Sequence, residues 1–171
     1  MNRLSCSVTA RPAKRPRLKI AAAIEARRFG PSRAEQLFNL AAAIGTELEQ
    51  EGLAEVGGVR INISGCTNSC GQHHIADIGF FGAERRAHGQ AAPGYQMLLG
   101  GYVGQEQIHF GEKALRLPAK AAPQAAARVI RRFNDERSAG ETFQGWLARS
   151  GGAKTVGETL AELDNIPLPD E

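Results

Sequence analysis

Cysteine is scarce in this chain of 171 residues, where it occurs only as Cys6, Cys66 and Cys70. Three cysteines without an even framework argue against a secreted module held by disulfides, and they favour a reducing, cytoplasmic setting. The chain also lacks any apolar run of the roughly 18–20 residues that a membrane-spanning helix needs. We therefore expect no membrane partner.

Acidic residues are almost absent from residues 1–33, which hold nine Lys or Arg and one acid, Glu25, a net of +8. The remainder holds twelve bases and seventeen acids, a net of −5. Because prolines interrupt helices and ladders, we predict a basic, poorly ordered arm over residues 1–33. A transit segment and a nucleic-acid-binding arm are the alternatives. The stretch ARPAKRPRLK has no aromatic residue to stack on bases, so nucleic acid is not an expected partner.

The first part of the body alternates between helical and strand periodicity. Residues 31–52 have an apolar stripe at helical spacing, with Ser32 and Glu35 in capping-box positions and Gly52 at the end. The stretch VRINIS alternates apolar and polar residues, which predicts a strand buried on one face. IADIGFFG and YQMLLGGYV are two further predicted strands, and QIHFG and ALRLP are weaker candidates.

The C-terminal third is predicted to be helical. Pro123 opens one helix, and Thr142 and Thr155 are predicted N-caps of two short ones. A helix, then strands, then helices predict an α+β fold, with a mainly antiparallel sheet and helices on one face. The predicted organisation is the arm, a domain over residues 34–150, and a C-terminal tail with a short helix over residues 151–171.

Two of the three cysteines lie in SGCTNSCGQHH, directly after the first predicted strand and, we expect, at the sheet edge. Gly65 and Gly71 bound the loop and allow the backbone to approach a bulky group closely. Cys66 and Cys70 can therefore converge on one centre, and thiolates are suitable ligands for zinc or for iron–sulfur clusters. A pair of packed thiols without a ligand is the plain alternative.

Three metal-binding interpretations follow from these residues alone. A zinc site would add His73 and His74 to the two thiols, although four ligands within nine residues would strain the loop. A radical-type cluster would need a third cysteine where His73 stands. The third interpretation is half of a four-cysteine cluster site whose other half lies elsewhere.

The segment INISGCTNSCGQHHIADIGFFG closely resembles the second cluster-binding motif of the siroheme-dependent nitrite and sulfite reductases. GYQMLLGGYVG and RRFNDERSAGETFQGWL resemble later segments of the same family, so the resemblance covers roughly residues 35–150. It implies the fold of that family's C-terminal domain. It also implies an oxidoreductase that reduces nitrite to ammonia or sulfite to sulfide with six electrons from ferredoxin or a flavoprotein.

The resemblance further implies roles for individual loop residues. Cys66 and Cys70 would ligate a [4Fe-4S] cluster, and Cys70 would also bridge the cluster to the siroheme iron. Asn68 and Ser69 would lie against the cofactor. We assign no catalytic residue from the sequence.

This chain departs from the family pattern in one respect. The family's first motif, Cys-x5-Cys, has no counterpart here, and three cysteines fall short of the four ligands of a cubane cluster. We therefore predict an apparently truncated, C-terminal part of such an enzyme that is inactive as an isolated chain. The alternative is a non-catalytic zinc or interaction module using Cys66 and Cys70. His73 and His74 are expected to pack or hydrogen-bond within the loop, and Asp77 to hold its backbone.

Overall fold

The computed structural model describes residues 18–23, 39–87, 90–104 and 107–164. The strands found there are β1 (Lys19–Ala23), β2 (Arg60–Ser64), β3 (Ile78–Gly82), β4 (Arg85–Ala87), β5 (Gln90–Ala92), β6 (Gly94–Leu99), β7 (Tyr102–Val103), β8 (Ile108–His109) and β9 (Glu112–Pro118). The helices are α1 (39–50, its described part), α2 (Ala122–Glu136), α3 (Phe143–Arg149) and α4 (Gly152–Glu158). Short 3-10 turns cover His73–Ile75, Ala119–Ala121 and Ala161–Asp164.

One five-stranded sheet organises the domain, in the order β1-β2-β3-β6-β9. β2 lies parallel to both β1 and β3, whereas β6 lies antiparallel to both β3 and β9. The hairpins β4–β5 and β7–β8 are antiparallel as well. Antiparallel pairings thus outnumber parallel ones among the described strands, and the predicted α+β class with a mainly antiparallel sheet is confirmed.

The helices cover one face of this sheet. In β2, Ile61 and Ile63 are fully buried in the same apolar cluster as the helices, while the alternating residues Arg60, Asn62 and Ser64 point to the other face. Trp146 of α3 is fully buried in the same cluster. Each large apolar side chain buried in this way contributes about 1.5–3 kcal/mol to folding. No helix in the described part of the chain has the length and apolar character needed to cross a bilayer.

Part of the predicted basic arm is a strand of the sheet. β1 pairs in parallel with β2, from Lys19 beside Arg60 to Ala23 beside Ser64. The prediction of poor order was wrong for residues 19–23, because they pair with β2 and the Ile20 side chain packs against the core. The rest of the arm, and the predicted cap residues of α1, lie outside the described residues.

The predicted C-terminal tail also belongs to the domain as far as the last 3-10 turn. Ala153 and Val156 of α4, and Leu160 just after it, are buried in the core, so α4 belongs to the packed domain. Thr155 does not cap a helix, because it lies inside α4 and its hydroxyl donates to the Gly151 carbonyl at 2.9 Å. The predicted Thr142 cap is confirmed: its hydroxyl accepts the backbone N–H of Gly145 at 3.1 Å, at the start of α3.

The hairpin β7–β8 and its flank carry the exposed large apolar side chains of the described residues, Tyr102, Val103, Ile108 and Phe110. An isolated two-stranded hairpin is only marginally stable in water. Here the ring of Phe110 packs edge-on against His74, and the backbone N–H following it, that of Gly111, donates to the His74 carbonyl at 2.7 Å. The hairpin is therefore anchored to the last part of the cysteine loop.

Candidate metal centre

The cysteine loop connects two parallel neighbours in the sheet, β2 and β3, through residues 65–77. Parallel strands need a crossover of a dozen or more residues, which is usually a helix. Here the crossover is the loop itself, and it returns across the polar face of the sheet, where the Asn62 side chain donates to the Gln72 carbonyl at 3.2 Å. The loop was expected at a sheet edge, but β2 is an inner strand, so the loop lies on a face instead.

A buried serine fixes the second half of the loop to the end of β2. The Ser64 hydroxyl accepts the Gly71 backbone N–H at 3.1 Å and lies 2.7 Å from His73 Nδ1. A serine hydroxyl has one proton and two lone pairs, so it can accept from Gly71 and donate to His73 at the same time. In that arrangement the neutral imidazole carries its proton on Nε2. The segment directly after Cys70 is therefore attached to the sheet.

His73 is fully buried beneath the loop. Its ring lies 4.0 Å from that of His74 and 4.9 Å from that of Phe81, measured between ring centroids. Burial, with a smaller effect of the neighbouring His74, lowers the pKa of His73 to about 4. Its Nε2 is buried without a hydrogen-bond partner among the described residues. His73 is thus a neutral packing residue, as the sequence predicted.

Two glycines allow the loop to lie directly on the backbone of the sheet. A Cβ at Gly71 would be 2.1 Å from the Ile63 carbonyl oxygen, and a Cβ at Gly79 would be 2.1 Å from the His73 carbonyl oxygen. Side chains do not tolerate such distances to backbone atoms. A glycine inside a strand often marks such a close backbone approach. Gly79 in β3 is an example, because any side chain there would collide with the His73 carbonyl.

Asp77 closes the loop at its far end. One carboxylate oxygen accepts the Arg60 backbone N–H at 2.7 Å and lies 3.5 Å from Arg60 Nε, and the other accepts a hydrogen bond from the Gln144 side chain. The Arg60 guanidinium in turn donates to the Ile75 carbonyl at 3.1 Å. The expectation that Asp77 binds the loop backbone needs correction, because Asp77 holds β2 and α3, and Arg60 holds the loop.

The two cysteines lie on the accessible part of the loop. Both are free thiols, with Cys66 half-buried and Cys70 exposed. The backbone N–H of Asn68 points to Cys66 Sγ at 3.5 Å. Ser69 has a left-handed φ of 60°, which costs a non-glycine residue on the order of 1 kcal/mol. That backbone turn immediately precedes Cys70, and strain of this kind is characteristic of functional sites.

The candidate ligand atoms of the loop differ in how accessible they are. Cys66 and Cys70 are sulfur donors that a metal or cluster can reach. His73 is not, because Ser64 occupies Nδ1 and Nε2 is buried. No group of three His, Cys, Asp or Glu side chains suited to a metal ion occurs among the described residues. The four-ligand zinc site within the loop is therefore not favoured, and the accessible sulfur atoms of the loop are those of Cys66 and Cys70.

Sequence reasoning missed three residues that position this loop. Ser64 could have been found, since it lies on the polar face of β2 next to the loop and is a small polar residue. Gly79 could also have been found, because a glycine inside a predicted strand suggests a close approach. Gln144 could not have been found, because its hydrogen bond to Asp77 joins residues that are 67 positions apart in the sequence.

The described residues form an α+β domain with two accessible thiols on a glycine-bounded loop that lies on the face of the sheet. The profile of the family described as "Nitrite and sulphite reductase 4Fe-4S domain" matches residues 58–165. This chain therefore belongs to the nitrite and sulphite reductase 4Fe-4S domain family, as its loop motif indicated.

Individual relatives agree with this assignment. The assimilatory ferredoxin-dependent nitrite reductase of Haloferax mediterranei is 36% identical over 93 residues, which are 54% of this chain and 16% of that protein. The sulfite reductase [ferredoxin] of Mycobacterium tuberculosis strain H37Rv is 38% identical over 95 residues, 54% of this chain and 17% of that protein. This chain thus spans about a sixth of the length of these curated relatives.

A solved structure shares the fold as well. The structure of the Mycobacterium tuberculosis NirA protein matches with a TM-score of 0.58 and 32% sequence identity. The match covers 67% of this chain and 21% of that structure. The predicted resemblance to the nitrite/sulfite reductase C-terminal domain is thereby confirmed at the level of fold and family.

Proposed function

We propose that this chain supplies half of the redox centre of an oxidoreductase that reduces nitrite to ammonia or sulfite to sulfide. The observation that carries the proposal is the accessible pair Cys66 and Cys70 on a rigidly anchored loop, in a chain of this family. These two relatives are a nitrite reductase and a sulfite reductase, and the name of each includes ferredoxin. We therefore infer a small oxyanion as substrate and ferredoxin as the preferred donor over a flavoprotein, in a reducing, cytoplasmic setting.

The residues of the loop fit a [4Fe-4S] cluster as half of its ligand set. Such clusters are held by cysteine thiolates, and Cys66 and Cys70 would provide two of them. Asn68 and Ser69 would lie beside the cofactors, and Cys70 would be the thiolate shared with siroheme. When bound, the cluster and the siroheme supply electron storage and the iron at which the anion is reduced.

The chain's own residues orient the two thiols. Ser64 and His73 hold the backbone after Cys70, while the Asn68 N–H is directed at the Cys66 sulfur. Hydrogen bonds to sulfur are one of the means by which proteins tune the potential of a cluster. Residues 64–74 contain no Lys or Arg, so the cations that would neutralise an anionic substrate must come from outside this loop.

A ligand count makes the isolated chain a poor catalyst. A cubane cluster needs four thiolates or their equivalents, and the loop provides two. We expect the purified chain, supplied with iron, sulfide, siroheme and reduced methyl viologen, to turn over nitrite or sulfite far below about 1 per second, the low end of ordinary enzymes.

Iron loading in the presence of glutathione, which can supply the missing sulfur ligands, tests the proposed role of the thiols. We expect the full chain, loaded anaerobically with iron and sulfide, to acquire the visible absorption of an iron–sulfur cluster. Cys66→Ser and Cys70→Ser should each lose most of the bound iron, because a half-site with one thiolate binds weakly. Cys6→Ser is the matched control and should retain the bound iron.

A zinc titration of the same variants tests the alternative. If wild type binds zinc stoichiometrically, and neither iron nor sulfide is retained, the chain is a zinc module and the proposal fails. Equal iron retention in Cys66→Ser, Cys70→Ser and wild type would also contradict the proposal, because the iron would then be held elsewhere.

A further inference from the structure

A cavity of about 890 Å³ opens at the start of β2, at the opposite end of that strand from Ser64, where the cysteine loop begins. Its walls come from the first residues of β1 and β2, the last turn of α2 and the connection to α3. Its volume lies within the range of small-molecule sites, roughly 300–1,000 Å³. Neither Cys66 nor Cys70 lines it, so the cavity is separate from the two thiols.

Three cationic side chains line this cavity, those of Lys19, Arg60 and Arg137. Lys19 lies directly beside Arg60 in the parallel register of β1 and β2, so both side chains project from the same face of the sheet. Like charges on adjacent strands repel each other and destabilise the pairing. The segment that leads to Lys19, residues 1–18, contains no Asp or Glu, so it does not supply the negative charge that would relieve this repulsion.

The two carboxylates in the cavity wall are already engaged. Asp77 has only 7% of its side chain exposed, and it accepts hydrogen bonds from Arg60 and Gln144. Glu141 accepts hydrogen bonds from the Arg149 guanidinium at 2.9 and 3.1 Å. Neither carboxylate is therefore available to neutralise the other cations of the cavity.

The charges of the remaining two cations are not compensated. Among the described residues, neither Lys19 nor Arg137 forms an ion pair with a carboxylate. The Arg137 guanidinium donates to the Gly57 carbonyl at 3.1 Å and to the Asn134 side chain at 3.3 Å. It also lies 4.9 Å from the centre of the Phe133 ring. These neutral partners orient the guanidinium without cancelling its charge, and the end of α2 offsets only about half a charge.

Another part of the cavity wall is apolar and accessible. Tyr102 and Val103 of the hairpin β7–β8 line it, with 40% and 43% of each residue exposed. On the cationic part, the Arg60 side chain is still 41% exposed although it contacts Asp77. Small-molecule sites combine apolar surface with a few charged groups that fix the orientation of the ligand. A ligand that satisfies both parts of this cavity carries a negative charge on an apolar body.

We propose that this cavity binds a small organic oxyanion, a carboxylate or a phosphate attached to an apolar body. Lys19, Arg60 and Arg137 bind the charged group, and the body of the ligand lies against Tyr102 and Val103. The bound oxyanion offsets the repulsion between Lys19 and Arg60, so its binding also stabilises the pairing of β1 with β2.

Calorimetric titration of the metal-free full chain tests the proposal with four probes: phenyl phosphate, benzoate, inorganic phosphate and phenol. The ionic strength is held constant with chloride, because general screening of surface charge would otherwise contribute. We expect phenyl phosphate or benzoate to bind more tightly than inorganic phosphate, which lacks the ring. Phenol, which lacks the charge, should bind most weakly. The tighter of the two aromatic anions identifies the preferred oxyanion.

Variants that remove single charges locate the site. Lys19→Gln and Arg137→Gln should each weaken the binding of the tighter aromatic anion about tenfold, as expected for the loss of one charged hydrogen-bond donor. Lys154→Gln removes an exposed lysine of α4 outside the cavity and should bind as the wild type does. The double variant Arg15→Gln with Arg17→Gln removes charge from the basic segment before β1 and should also bind as the wild type does.

Several outcomes would overturn the inference. Lys19 is exposed, so Lys19→Gln is the decisive variant if Arg137→Gln loses its fold. Unchanged binding in Lys19→Gln, or binding of phenol or inorganic phosphate as tight as that of the aromatic anions, would contradict it. Loss of binding in the Arg15→Gln and Arg17→Gln double variant would place the site on the basic segment instead. Cys66→Ser should bind the anion as the wild type does, so this inference and the proposed role of the thiols stand or fall in separate experiments.

Discussion

At the scale of single residues, Ser64 and His73 determine how the second cysteine is held. The cysteine pair itself could be predicted, since two thiols four apart between glycines are conspicuous in a sequence with so few cysteines. The burial of His73 beneath the loop could not be derived in detail, because it depends on how the crossover folds back over β2 and β3. A histidine next to cysteines also suggests a metal ligand, which the geometry of Nδ1 and Nε2 contradicts.

The buried imidazole predicts a pH-dependent stability. The pKa of His73 falls from 6.5 to about 4 on folding, chiefly through burial. Between these values the unfolded chain binds the proton and the folded chain does not, so stability is full above pH 6.5 and is lost as the pH falls towards 4. The loss attributable to this residue is on the order of 3 kcal/mol. Urea unfolding at pH 7, 6, 5 and 4 measures it.

His73→Gln provides the reference for that series, since an amide can still hydrogen-bond to Ser64 but does not titrate. Hydrogen bonds from Arg132 and Arg149 lower the pKa of Glu136 and Glu141 respectively. The stabilisation from these two carboxylates also declines in acid, but it declines equally in the wild type and in His73→Gln. The wild type should therefore lose stability more steeply than His73→Gln over this range. Identical slopes would mean that His73 titrates as a solvent-exposed histidine.

At the scale of elements, the strands and helices follow from periodicity, whereas the way the loop lies on the sheet does not. Alternation identified β2, the stretch IADIGFFG was predicted as the strand that forms β3, and Pro123 and Thr142 identified the starts of α2 and α3. β1 was missed because it is short and lies within a basic, proline-containing segment. Thr155 was misassigned because a threonine followed by a glutamate three residues later is also compatible with a helix interior.

A pair of glycine substitutions tests how closely the loop packs on the sheet. Gly79→Ala would place a Cβ 2.1 Å from the His73 carbonyl oxygen, so we expect a loss of about 3 kcal/mol or more in the free energy of unfolding. Gly45→Ala in α1 has no atom within 4 Å of the added carbon. It should stabilise the helix by about 0.5–1 kcal/mol, because alanine is the better helix former. Guanidinium unfolding measures both, and a neutral Gly79→Ala would show that the loop does not rest on β3.

At the scale of the whole molecule, the family and the fold could be predicted from the sequence, but the bounds of the domain could not. The motif around Cys66 and Cys70 is specific enough to identify the family on its own. The core, however, includes β1 and α4, which the predicted boundaries assigned to an arm and a tail. This follows from packing, since α4 lies against β9 and both Val156 and Leu160 are buried.

The central claim, that Cys66 and Cys70 hold the cluster, is tested most directly by counting alkylated cysteines in the wild-type chain. The metal-free chain and the iron-loaded chain are treated anaerobically with the same alkylating reagent and digested, and each cysteine is quantified by mass spectrometry. We expect Cys66 and Cys70 to react in the metal-free chain and both to be protected after loading, while Cys6 reacts equally in both. Alkylation of Cys66 and Cys70 at the metal-free rate, in a chain that retains its iron and sulfide, would contradict it.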